Sequence, residues 1–229
     1  MQRKSLFVVL AIILIASMAL TACTPKPDET NAEPVVFVFG RGADSVQLDP
    51  SIVTDGESFR VTGQVLEPLY QYEPGSTKPI PALAEECTPN EDATVWTCKL
   101  RKGVKFHDGT DFNADAVIFN FERWRFTTHP NHYASQVFEY YEAMWGGFDD
   151  ASMITEVKKI DDYTIEFVLS DPLAPFLANL AMDMFAISSP AAIQAAGESY
   201  GTPTGGCVGT GPFKFVEWVE GDHIIVEKN

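Results

Sequence analysis

Leu100-Arg-Lys-Gly-Val-Lys-Phe-His-Asp-Gly-Thr110, followed after Asp111 by Phe112-Asn-Ala-Asp-Ala-Val117, holds three structural signals in 18 residues. Gly103 interrupts strand-like sequence, so Val95 to Leu100 and Val104 to Phe106 read as two short strands. His107-Asp108-Gly109-Thr110 is turn chemistry. Asn113 then suits an N-cap, because its side-chain oxygen can accept from an otherwise unpaired N–H of the first helical turn, and Asp115 fits the positive end of that helix. Val117, Phe121 and Trp124 share one helical face and are read as core. Strands feeding a helix over one apolar core predict an α/β chain.

Upstream, Cys87 and Cys98 flank a segment in which Pro89 to Asp92 reads as a turn between alternating flanks. A hairpin there would bring both thiols together, and in an oxidising compartment a Cys87–Cys98 disulfide would stabilise by about 2 to 4 kcal/mol. Two buried thiols, or less readily a zinc pair, are the competing readings; no second Cys/His pair stands at matching spacing. Ser58 to Leu66 has helix-compatible spacing, Gly40 to Pro50 reads as a loop, and the continuous apolar run Val35 to Phe39 predicts a strand buried on both faces.

Downstream, Thr127 to Gly147 shows no clean period and predicts loop with short helix. Val157 to Ile160 and Tyr163 to Leu169 alternate around Asp161-Asp162, a hairpin pattern, and Phe213 to Val219 with His223 to Glu227 repeat it around Gly221-Asp222. Asp171 to Ala186 reads as a Pro-started helix and Ala191 to Gly197 as another. The chain reaches Asn229 inside strand-like sequence, which predicts continuation past it. No internal repeat appears, which argues against solenoids and propellers.

At the N-terminus, Arg3 and Lys4 precede an apolar stretch of 15 residues, Leu6 to Leu20, and then Thr21-Ala22-Cys23. The stretch is shorter than the roughly 20 residues that span a bilayer, so residues 1–22 read as an export signal rather than a membrane helix. Leu20-Thr-Ala-Cys23 resembles the bacterial lipobox, which implies lipidation of Cys23 and attachment to the membrane through that lipid. Residues 23–34, with three prolines, read as a tether. The net charge is −16, and with Arg3 and Lys4 removed 14 basic side chains face 32 acidic ones. Such a chain repels phosphate backbones, which disfavours nucleic acid as a partner. Cys207 is left as a free thiol or as one whose partner lies past residue 229.

Catalysis finds no support. The sequence has no G-x-S-x-G, no H-E-x-x-H and no Walker loop; Gly201 to Gly206 lacks the Lys-Ser/Thr ending. The pairs Asp149-Asp150 and Asp161-Asp162 sit in turns. Pro130 breaks the helix that would place His129 and His132 on one face, so no metal site and no cofactor are expected.

The Leu100 to Val117 stretch, together with Val208-Gly-Thr-Gly-Pro-Phe213 and Trp218, resembles the signatures of the peptide/nickel family of extracellular solute-binding proteins. Leu48-Asp49-Pro50, Leu66-Glu67-Pro68-Leu69, Lys78 to Glu85, Asp162-Tyr-Thr164 and Ser189-Pro190 add to it in order from Val35 to Asn229. The resemblance implies a two-lobed α/β fold of the type II periplasmic-binding-protein kind. Residues 35–229 would supply mainly its first lobe, a mixed sheet with flanking helices and an inserted subdomain at about 58–155, with the second lobe missing. It implies a binding protein, not an enzyme, that works as an extracytoplasmic monomer in the periplasm or on the outer face of the cytoplasmic membrane and hands a peptide-like solute to an ABC permease. A metal chelate or oligosaccharide is the alternative ligand, and a lipid-anchored secreted hydrolase the alternative class. By position in the family, Asp55, Gly56, Glu57 and Tyr133 are expected at the ligand; Trp145 is a further candidate from composition.

Overall fold

The computed structural model describes residues 35–133 and 137–229. The expected export signal, Cys23 and the expected tether lie outside the described residues. The chain divides into one unit ending at Gly40 and a compact unit Arg41–Asn229. In the first, Val35–Phe39 forms no strand, and its side chains are 60% to 99% exposed. This corrects the expected buried strand. An apolar run records a preference for burial, but a strand exists only through a neighbour's hydrogen bonds, which a local pattern cannot supply.

In the second unit, helix α1 (Gly56–Val65) leads to the short pair β1 (Tyr70–Tyr72) and β2 (Pro79–Pro81). A four-stranded sheet follows, made of β3 (Ala84–Pro89), β4 (Val95–Leu100), β5 (Ile154–Asp161) and β6 (Thr164–Leu169) in the order β3-β4-β6-β5. Helices α2 (Ala114–Arg125) and α3 (Glu139–Trp145) lie between β4 and β5 in sequence; α4 (Phe176–Leu180), α5 (Pro190–Ala196) and the hairpin β7 (Phe213–Val219) and β8 (His223–Lys228) complete the chain. The architecture is mixed α/β, and every strand pair among the described residues is antiparallel; no parallel pair of the expected mixed sheet is among them.

The sheet buries one face by alternation. Trp96 and Cys98 on β4 stand opposite Phe167 and Ile165 on β6, and all four are buried. Helix α2 covers them with Val117, Phe121 and Trp124, and Phe121 meets Phe167 ring edge to face at 4.8 Å. Asn113 caps α2 as expected, its side chain accepting from Ala116 N at 3.1 Å. A second core forms around Leu48, Val65, Leu66, Ile193, Tyr200, Cys207 and Trp218, so α1 and the β7–β8 hairpin pack together apart from the sheet.

Two further expectations need correction. Val104–Phe106 is not a strand: only Lys105 and Asp111 bridge, in a tight loop closed by Phe106 N to Thr110 O at 2.9 Å. The helix expected over Asp171–Ala186 shrinks to α4 and a 3-10 turn at Asp183–Phe185. Pro172 and Pro175 cannot donate backbone hydrogen bonds, and they hold the preceding residues out of helix.

Candidate functional site

Asp55 caps α1, its carboxylate accepting from Ser58 N at 2.8 Å. Gly56 opens the helix with free space where a Cβ would stand. Glu57 is half-buried; its carbonyl accepts from Arg41 Nη1 at 3.0 Å and its carboxylate lies 3.4 Å from Arg60 Nε. The N-terminus of α1 is therefore held from both sides, and it is acidic.

Tyr133 sits in another loop. Its hydroxyl accepts from Asn131 Nδ2 at 3.1 Å. The same loop is fixed to α2, because Arg123 Nε donates to Asn131 O at 3.0 Å and His132 Nδ1 lies 2.8 Å from Arg123 O. His129 Nδ1 accepts from Asn131 N at 3.1 Å, so both imidazoles work in loop hydrogen bonds. Burial first, then the Arg123 charge, lowers the His129 pKa and favours the neutral ring.

Arg123 ties the Tyr133 loop to the Asp49–Ser51 turn that precedes Asp55. It is 3% exposed, ion-pairs with Asp49, and its Nη2 also donates to Ser51 Oγ at 3.1 Å. Ser51 lies four residues before Asp55, and Ser51 and Tyr133 line the same small cavity. Sequence reading missed this pair. The only signal was an arginine on an amphipathic helix, and nothing local couples it to a carboxylate 74 residues away.

Trp145 is corrected. It is 0% exposed and packs edge to face against Phe176 at 5.8 Å and Phe185 at 5.6 Å, inside the core of the sheet. Aromatic content alone cannot separate a core ring from a ligand platform. Cys87 and Cys98 face each other across β3 and β4 and are joined as a disulfide; Cys207 is buried, with its thiol pKa raised by desolvation.

The two signature stretches dock on one another. His107 N donates to Gly209 O at 2.9 Å, His107 Nε2 lies 2.9 Å from Gly211 O, and the Asp108 carboxylate accepts from Ser189 Oγ at 2.5 Å. Gly211 N donates to Val65 O at 3.0 Å, and a Cβ there would stand 2.7 Å from Gln64 O. Glycine is needed because backbone meets backbone. Beside this clasp, at the other end of α1 from Asp55, lies a concavity of about 630 Å³ lined in part by Leu66, Glu67, Thr210 and Asp183. Thr210 Oγ1 donates to Glu67 at 2.7 Å, and the surrounding protein raises the Asp183 carboxyl above its ordinary value although it still reaches solvent. None of the expected contact residues lines it.

Residues 78–229, which include this clasp, match the description "Bacterial extracellular solute-binding proteins, family 5 Middle". The chain belongs to that family. Members of family 5 are substrate-binding proteins, not enzymes. Among its relatives, the dipeptide-binding protein of Escherichia coli strain K12 is 38% identical over 188 residues, covering 77% of this chain and 34% of that protein. Heme-binding protein A of Haemophilus influenzae is 33% identical over 223 residues, covering 89% of this chain and 40% of its own length. Among solved structures, an ABC transporter-associated periplasmic binding protein of Helicobacter pylori, in complex with a peptide, superposes with TM-score 0.73 at 37% identity. That match covers 82% of this chain and 38% of that one. The chain thus spans about two fifths or less of the length of these family 5 proteins, and its fold is part of the type II periplasmic-binding-protein architecture.

Proposed function

We propose that this chain is the N-terminal part of an extracytoplasmic lipoprotein that binds a peptide-like solute and delivers it to an ABC importer. The observation that carries the reading is family 5 membership joined to a peptide-bound structural neighbour at TM-score 0.73. Cys23 is the lipid anchor in this reading, residues 1–22 are removed on export, about 58–155 form the inserted subdomain, and the protein works as a monomer. Asp55, Gly56, Glu57 and Tyr133 lie on the ligand side of the first lobe. Support for that placement is local: the Asp49–Ser51 turn and the Tyr133 loop are fixed to one another through Arg123. A ligand that touches both lobes favours the closed form, which is the form the permease takes.

Native mass spectrometry of the protein at its full cellular length tests the ligand class. A ladder of short-peptide masses is expected. A discrete heme-like or sugar mass overturns the peptide reading, and the 33% identity to a heme-binding protein makes a chelate the second candidate. Replacing Glu57 and Tyr133 together by Ala in that protein is expected to weaken peptide binding by about tenfold or more, roughly 1.4 kcal/mol. Unchanged affinity by calorimetry refutes the placement.

A further inference from the structure

Among the described residues, helix α2 leaves three buried side-chain donors unpaired, on Arg123, Trp124 and Arg125, and the first two residues border the cavity beside the Tyr133 loop. Arg123 uses Nε on Asn131 and Nη2 on Asp49 and Ser51, but its Nη1 has no partner among the described residues. Trp124, 2% exposed, likewise has none for Nε1 among the described residues. Both residues line the cavity of about 10 Å³ that Ser51, Asn131 and Tyr133 also border. A buried N–H seldom goes without an acceptor, and a guanidinium N–H forms stronger hydrogen bonds than a neutral donor.

The cavity volume is that of one water, and its walls carry hydroxyl and amide groups able to receive a water's protons. An anion is disfavoured on two grounds. The Asp49 carboxylate already neutralises this guanidinium, and the space takes a single oxygen. An apolar occupant would leave both donors unpaired.

We propose that this cavity binds one ordered water molecule, which accepts from Arg123 Nη1 and Trp124 Nε1 and joins α2 to the Asp49–Ser51 turn and the Asn131–Tyr133 segment. Both donors are then satisfied by one oxygen, and the proposal is independent of which ligand the protein binds.

A crystal structure of this chain at a resolution that shows ordered solvent is expected to place one oxygen within about 3.2 Å of both nitrogens. In solution, the Trp124 indole N–H, assigned through its loss in Trp124→Phe, is expected to show a magnetisation-transfer cross-peak to long-lived water. An empty cavity, a protein oxygen on both donors, or a peak that turns into an anomalous scatterer when chloride is replaced by bromide overturns the proposal. Absence of the cross-peak in the unsubstituted chain does so too, and that measurement does not depend on the variant folding.

Discussion

Replacing Asp49 by Asn nearly preserves the shape of the side chain and removes the charge that faces the Arg123 guanidinium. Both partners are almost fully buried, so the variant leaves an uncompensated cation in low dielectric. We expect a loss of about 3–5 kcal/mol, read from urea unfolding. A loss below about 1 kcal/mol, the range of exposed pairs, would mean that bulk solvent screens the pair. Gly211→Ala tests the clasp at the same scale: the added carbon meets the Gln64 and Val65 backbone, which cannot rotate away, and should cost about 1–3 kcal/mol. Neither effect is visible in the sequence. Asp49 stands in a Leu-Asp-Pro turn and Arg123 on a helix with Arg125 close by, and only the folded chain selects which arginine is buried.

Elements were more legible than residues wherever their signals are local. The Cys87 to Cys98 hairpin follows from alternation and turn residues, and β3 and β4 pair those two cysteines directly. Reduction, or Cys87→Ser with Cys98→Ser, is expected to lower stability by about 2–4 kcal/mol through the freed unfolded chain. Differential scanning calorimetry with and without reductant measures it, and an unchanged midpoint would sink the idea. Asn113 was equally readable, because an N-cap acts within three residues. By contrast, the Pro-started helix expected over Asp171–Ala186 was overextended: Pro172 and Pro175 hold the residues before them out of helix, and regular helix begins only at Phe176. Val104–Phe106 failed as a strand for the opposite reason, since its β-like residues close a loop on Asp111 instead of meeting a ladder.

At the scale of the whole molecule, acid should loosen the hold between the Arg41–Ser45 segment and the β7–β8 turn. Asp44 accepts from Gly221 N at 2.7 Å and from Trp218 Nε1 at 3.1 Å, and the Gly221 bond above all holds its pKa below the ordinary 3.8. A carboxylate with a depressed folded pKa contributes stability above its unfolded value and loses that contribution as pH falls through the folded one. Asp92, Asp108, Asp149 and Asp161 shift in the same direction, whereas Asp183 is raised and acts in the opposite sense. Stability should therefore decline as pH drops below about 3.8, less steeply in Asp44→Asn. Urea midpoints between pH 5 and 2.5 decide it, and a flat profile would refute the role of these hydrogen bonds. The sequence by itself determined the capped α2 helix and the three longer hairpins, because each rests on residues near one another in the chain, and the family, because its short motifs recur in order along the chain. Only the tertiary structure decided that Val35–Phe39 finds no strand partner among the described residues, that Trp145 is core, and that Arg123 joins the Asp49 turn to the Tyr133 loop. Burial and ion pairing are set by parts of the chain far apart in sequence, and no local pattern records which of them will meet.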